Sequence, residues 1–476
     1  MRFVRFSALA FVLCALLSGV AVADIRLPSM GEASSAILSL EQERELGQRW
    51  LKSFRAQTRP NRDYALQEYV ENLLLDIARH APIEDRRLEL LIVDNPQLNA
   101  FAVPGGIVGV HTGLLLHAAS EAEFAAVLAH ELAHLSQRHF ARSVAERRAS
   151  AATSLAGLLA GVILAAASGN SDAVPAAMSV ARAAQLESAL RYSRQHEQEA
   201  DRIGLRTLVE AGYDASAAAD MFAGMLQLDR RAGRQVPEYL RTHPLTERRL
   251  SDMRARALQY PRRPRAGSEV YPLMRARVEV RQAGRQAVRT FSERVKKNPS
   301  RVNRYGLALA QQAALDLPAA VGLARGLYDG EPGVELFGIL YAELLTQTGE
   351  AARAKKVLGG YLQRRPTGYA LNMALANAFT YAGQFAQAAE ILRGQTRRRP
   401  TDPAVWYEYS EVLGLAGEVL ALHKARAEYF MLIGAFNRAI RQLQFAQKEA
   451  GDDRIEQAVL GEMISRAARL RGEAGI

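Results

Sequence analysis

Three stretches of the chain are apolar almost without interruption, one alternates apolar with small residues, and the C-terminal third repeats a helical pattern. Ser120-Glu121-Ala122-Glu123 reads as a capping box, and the apolar run Phe124 to Leu135 behind it predicts a buried helix. Residues 99–116, NAFAVPGGIVGVHTGLLL, alternate around a Pro-Gly-Gly bend and predict an edge strand. A hairpin in the core fits the same pattern equally well. A further helix is predicted from Ser193, with Glu197, Asp201, Leu205 and Leu208 on one face.

The C-terminal pattern is periodic. Prolines at 299, 332, 366 and 400 are 33, 34 and 34 residues apart, and Gly349, Gly383 and Gly417 keep the 34-residue step. That is the tetratricopeptide period. Each unit predicts two helices with glycine at the turn, as in Tyr369 to Tyr381 followed by Phe385 to Leu392. Ala374, Ala378, Ala388 and Ala389 supply the small residues a close crossing needs. Such arrays stack into a superhelix with a concave groove for peptides or proteins. Before it, Tyr260 to Ser268 is rich in Pro, Gly and Arg without apolar periodicity, which predicts a domain boundary.

The other uninterrupted apolar runs are not part of this pattern. Residues 1–23 combine Arg2 and Arg5, an apolar core and Ala21-Val22-Ala23, which predicts a signal peptide cleaved after Ala23 and export to an oxidising compartment. The single cysteine, Cys14, lies within it behind Phe11-Val12-Leu13, a poor lipid-attachment context. The mature chain then has no disulfide, thiolate ligand or cysteine nucleophile. Residues 149–171 hold no charge. Their length allows a membrane span, but their Ala, Gly and Ser content makes them weakly hydrophobic. A buried or lid-like segment, a candidate for peripheral membrane contact, reads better.

Composition narrows the class further. With 476 residues, 49% hydrophobic and 23% charged, the chain is globular and long enough for two or three domains. The net charge is +11, and losing Arg2 and Arg5 takes the 61 basic residues to 59 against 50 acidic ones, or +9. This excess is thinly spread and lacks an aromatic-studded basic stretch, so nucleic acid is not an expected partner.

The chemistry concentrates on the apolar helix. His130 and His134 are four apart and share a face, and Glu131 is rotated about 100° from His130, in reach of a metal-bound water. An apolar helix holds three such groups at low cost only if a metal satisfies them. A third ligand further along the same helix is excluded, because Gln137 and Phe140 stand where the metzincin pattern needs Gly and His. His139, some 140° round a continuous helix from His134, reads as a surface or capping histidine. Glu197 and Asp201 offer a ligand and its supporting carboxylate, or else a solvated acidic face. If Glu197 points in, His196 and Glu199 point elsewhere.

HELAH in an apolar helix, EQEAD on a later one, and NAFAVPGG upstream resemble the HtpX and CAAX-prenyl-protease family of zinc peptidases over about residues 35–255. The resemblance implies one Zn2+ per chain held by His130, His134 and Glu197, with Glu131 as general base and Asp201 behind a ligand. It brings His243, in the His-Pro element Thr242 to Leu250, near the metal, either stabilising the oxyanion or closing the fourth position. Its integral-membrane branches carry several strong spans that this sequence lacks. A signal peptide and C-terminal repeats are similar to its periplasmic branch. That branch implies unfolded or misassembled outer-membrane proteins as substrates, contact of the repeats with the barrel-assembly machinery, and chaperone activity. The expected fold is mainly α. A signal peptide (1–23) precedes an α+β zincin-like metallopeptidase domain with the HExxH helix and a small edge-strand sheet (24–260). A linker and connecting helix (261–290) and an α-solenoid of tetratricopeptide repeats (291–470) follow.

Overall fold

The computed structural model describes residues 38–58, 61–150, 193–232, 237–262 and 268–473. The predicted signal peptide and nearly all of the apolar interval 149–171 lie outside them. Helices α1 (Leu40–Arg55) and α2 (Tyr64–Ala78) lead into a sheet of β1 (Glu89–Val93), β2 (Ala100–Val103) and β3 (Ile107–His111). The order is β1-β3-β2, parallel between β1 and β3 and antiparallel in the β2–β3 hairpin.

The stretch 99–116 is therefore not one edge strand. Of this stretch, β2 forms one edge of the sheet; β3 is central and buried at all five positions, and the chain continues into the short helix α3 (Thr112–His117). Gly105 and Gly106, at φ +82° and +86°, make the turn that folds the two strands together.

Helix α4 (Glu121–Ser136) is the axis of this domain, packed by α2 and β2 and by α6 (Arg194–Glu210) and α7 (Ser216–Ala232). Ser120 caps it, accepting from the Glu123 amide at 3.2 Å. Glu123 accepts from the Ala119 amide rather than that of Ser120, so the box is shifted by one residue. Between α4 and α6 lies α5 (His139–Ser150), and after α7 come α8 (Glu238–Thr242) and α9 (Glu247–Ala257).

Residues 261–290 do more than connect. Helix α10 (Tyr271–Ala283) lies against α3 and the first repeat, the Tyr271 hydroxyl donating to the carbonyls of Leu115 and Ala118 at 3.0 Å. Arg277 forks onto buried Asp63 and also reaches the Tyr305 hydroxyl at 2.8 Å. One apolar core runs through these helices from the N-terminal domain into the repeats.

After α11 (Ala287–Lys297), the repeats pair α12 (Arg301–Ala313) with α13 (Leu317–Gly330), α14 (Glu335–Gln347) with α15 (Ala351–Leu362), and α16 (Tyr369–Tyr381) with α17 (Phe385–Arg398). Two more pairs follow, α18 (Pro403–Leu415) with α19 (Val419–Leu432) and α20 (Phe436–Ala450) with α21 (Arg454–Glu473). The array returns to the N-terminal domain at α2. There Glu68 accepts from the amides of Tyr369 and Ala370 at the α16 N-terminus, and Glu71 pairs with Arg399 at 2.6 Å.

The repeat glycines Gly349, Gly383 and Gly417 turn the chain at φ +84°, +70° and +77°. One period earlier the same left-handed turn is made by Leu315, at φ +63° and 80% exposed. A side chain there strains the backbone and packs on little. Leu315→Gly should therefore stabilise the protein by about 1 kcal/mol, read as a higher denaturation midpoint. A lowered midpoint would mean that the leucine has a packing role.

Candidate active site

Three segments converge on one buried point. From α4, His130 and His134 present their Nε2 atoms 3.0 Å apart. Helix α6 crosses α4 so closely that a Cβ on Gly204 would lie 3.1 Å from the His130 backbone, and this crossing aims Glu197 at both rings. Its Oε2 is 3.6 Å from His130 Nε2, and its Oε1 is 3.5 Å from His134 Nε2. The residue that ends α8, His243, enters from the far side with Nδ1 3.0 Å from Glu197 Oε1. Donor atoms of His130, His134, Glu197 and His243 all lie within 4.8 Å of one another.

These residues fit a bound cation. Ligands of one tetrahedral zinc at about 2.0–2.1 Å are about 3.3 Å apart, close to the spacings seen. Glu131 is wholly buried, and neither of its carboxylate oxygens has a hydrogen-bond partner among the described residues; the nearest histidine nitrogen, His243 Nε2, is 3.6 Å away. Burial opposes charge on Glu197, yet the three imidazoles outweigh it and hold the carboxyl well below the usual range. Burial likewise opposes a proton on His130, but Asp201 and Glu197 push it up to about 10. The cluster attracts positive charge.

Asp201 stands behind His130, with Oδ1 3.3 Å from Nδ1. Burial would raise its carboxyl, but the hydrogen bonds from Arg249 and His130 prevail and lower it. Arg249 is the residue that the sequence reading missed. Its Nε and Nη2 donate to the two Asp201 oxygens at 2.8 and 2.7 Å, and Nη1 donates to the Pro244 carbonyl at 2.7 Å. Nη1 also lies 2.9 Å from Glu197 Oε2. It belongs to the same His-Pro element as His243, and its burial beside two carboxylates from α6 is a tertiary fact that no local pattern carries.

Residues 64–257 match peptidase family M48, and residues 345–410 match a tetratricopeptide repeat. The beta-barrel assembly-enhancing protease of Escherichia coli is 31% identical over 94% of this chain and 92% of its own length. The chain belongs to peptidase family M48. The Yersinia pestis protein of the same name is 30% identical over 95% of this chain and 93% of that one. The putative one of Vibrio cholerae is 37% identical over 55% of this chain and 53% of that one.

In this M48 metallopeptidase, His139 is not the surface or capping histidine expected. Helix α4 stops at Ser136, Arg138 takes a left-handed φ of +50°, and a new helix begins. The 140° offset holds only for one continuous helix, and the corner swings His139 back into the domain, where it is fully buried. Its Nδ1 is 2.9 Å from His134 Nδ1 and its Nε2 is 3.2 Å from Glu199 Oε2. His196 is buried too and stacks on the His139 ring at 4.5 Å. His196 and Glu199 thus face the group around His139 rather than away from the centre.

Proposed function

We propose that this chain is a zinc-dependent endopeptidase exported to the periplasm, where it degrades misfolded or stalled outer-membrane proteins and acts on them as a chaperone through its repeats. The observation that carries the catalytic part is the buried His130, His134, Glu197 cluster with the Glu131 carboxylate beside it, which accepts no hydrogen bond among the described residues. The setting rests on the signal-like residues 1–23 and on relatives named beta-barrel assembly-enhancing proteases. Among the described residues no helix is long and apolar enough to cross a membrane.

His130, His134 and Glu197 would hold the zinc, and Asp201 would keep His130 in the right tautomer. A bound zinc supplies Lewis-acid polarisation and a water of lowered pKa. Glu131 takes the proton of the attacking water and returns it to the leaving amine. The edge strand β2, which packs on α4, takes the extended substrate backbone by strand addition. The repeats would hold the client or the barrel-assembly machinery.

His243 makes this arrangement a closed one: it supplies a fourth donor, and its ring stacks on Tyr239 at 4.6 Å. We expect His243→Ala to raise cleavage. An open fraction of about one tenth in the unmodified protein corresponds to about a tenfold gain. Lower cleavage, measured on the same unfolded substrate, would assign His243 to oxyanion stabilisation instead. The four-donor set also favours a second reading, a scaffold whose zinc is structural, since structural sites are closed by four ligands. Such a site has no use for a buried Glu131 that accepts no hydrogen bond.

The test is metal content of the mature protein and of Glu197→Ala, with degradation of an unfolded outer-membrane protein followed in parallel. One zinc per chain, weakened in the variant, together with cleavage by the unmodified protein supports the reading. Zinc without cleavage, even after His243→Ala, would leave the scaffold.

A further inference from the structure

The two imidazoles that α4 offers the metal are not supported alike. His130 leans on Asp201, itself held by Arg249. Behind His134, its Nδ1 faces another imidazole, that of His139, at 2.9 Å. His134 turns Nε2 toward His130 and Glu197, so its proton belongs on Nδ1, where it can be donated to His139 Nδ1. That leaves the His139 proton on Nε2, which donates to Glu199 Oε2 at 3.2 Å, and Arg142 donates to the same oxygen at 2.8 Å. Every nitrogen in this chain has one role that is consistent with its neighbours.

The backbone is bent to make this contact. Arg138 sits in the left-handed region, which disfavours any side chain, and its guanidinium anchors the corner to the Leu38 carbonyl and to Glu43. A histidine that merely filled space at position 139 would need neither the bend nor a polar partner at each end.

We propose that His139 is a positioning residue for the metal centre: through the His134–His139–Glu199–Arg142 chain it fixes the tautomer and ring orientation of His134, as Asp201 does for His130. The inference rests on the proposed zinc site. Helix α6 then serves the centre three times, Glu197 on the metal and Asp201 and Glu199 each behind a different histidine.

Zinc affinity, measured by chelator competition on the full mature chain, tests this without any assay of cleavage. His139→Phe, which keeps a ring but accepts no hydrogen bond, should weaken zinc about 10- to 100-fold. His139→Asn, whose side-chain oxygen can take the His134 N–H, should stay within about fivefold of the unmodified protein. Affinity in His139→Phe within about twofold of the original overturns the proposal, as does an equal loss in His139→Asn, which would reduce His139 to packing. If the buried variants do not fold, the half-exposed Glu199→Gln decides: at least roughly threefold weaker zinc is expected, and no change overturns the chain. An unmodified protein that binds no zinc fails the zinc site itself, a different result from zinc held equally by all variants.

Discussion

Glu131→Gln should keep one zinc per chain and the native fold while lowering peptide cleavage by about 10²- to 10⁴-fold, the usual worth of a general base. Glutamine has the shape of glutamate, so the buried space it fills is unchanged. What it lacks is the ability to accept a proton. Glu131 is wholly buried and its two oxygens have no hydrogen-bond partner among the described residues. A buried carboxylate that accepts no hydrogen bond is costly, so folding gains nothing obvious from it. The thermal midpoint of Glu131→Gln should consequently equal or exceed that of the unmodified protein. Cleavage retained in a well-folded, zinc-loaded variant would remove Glu131 from the mechanism.

Arg249→Met should cost the metal-free protein about 3–5 kcal/mol, the penalty for removing one partner of a buried ion pair. Asp201 and Glu197 are 5% and 2% exposed, and Arg249 faces both as a permanent cation alongside His130. Methionine keeps most of the stem volume and leaves both carboxylates without it, along with the Pro244 carbonyl. Arg249→Lys should recover only part of the loss, because one ammonium cannot reproduce a fork onto two oxygens. Denaturant unfolding of the zinc-free proteins measures both variants. A change under about 1 kcal/mol in Arg249→Met would mean that water already compensates these carboxylates.

Much of this molecule was legible in its residues because the signals are local. The 34-residue period marked the repeats, since a helix pair can bury its face only against the next copy and must turn at the same place each time. The i,i+4 histidines and the adjacent glutamate needed only helical geometry to form half a metal centre. The alternating stretch 99–116 was harder. Its pattern suits an edge strand or a hairpin, and only pairing with β1 decided that β3 is the centre and β2 the edge.

The residue pattern alone carried the repeats, their glycine turns and the helix that holds HELAH. Those follow from period, capping and composition, which act over a few residues. Tertiary structure decided which distant groups meet. The crossing at Gly204 brings Glu197 to the histidines, the His-Pro element delivers His243 and Arg249, and the left-handed Arg138 turns His139 inward. A single strained residue at a helix end reverses a side chain's direction while barely altering the pattern, and burial then makes every contact it creates count. No local rule contains that outcome.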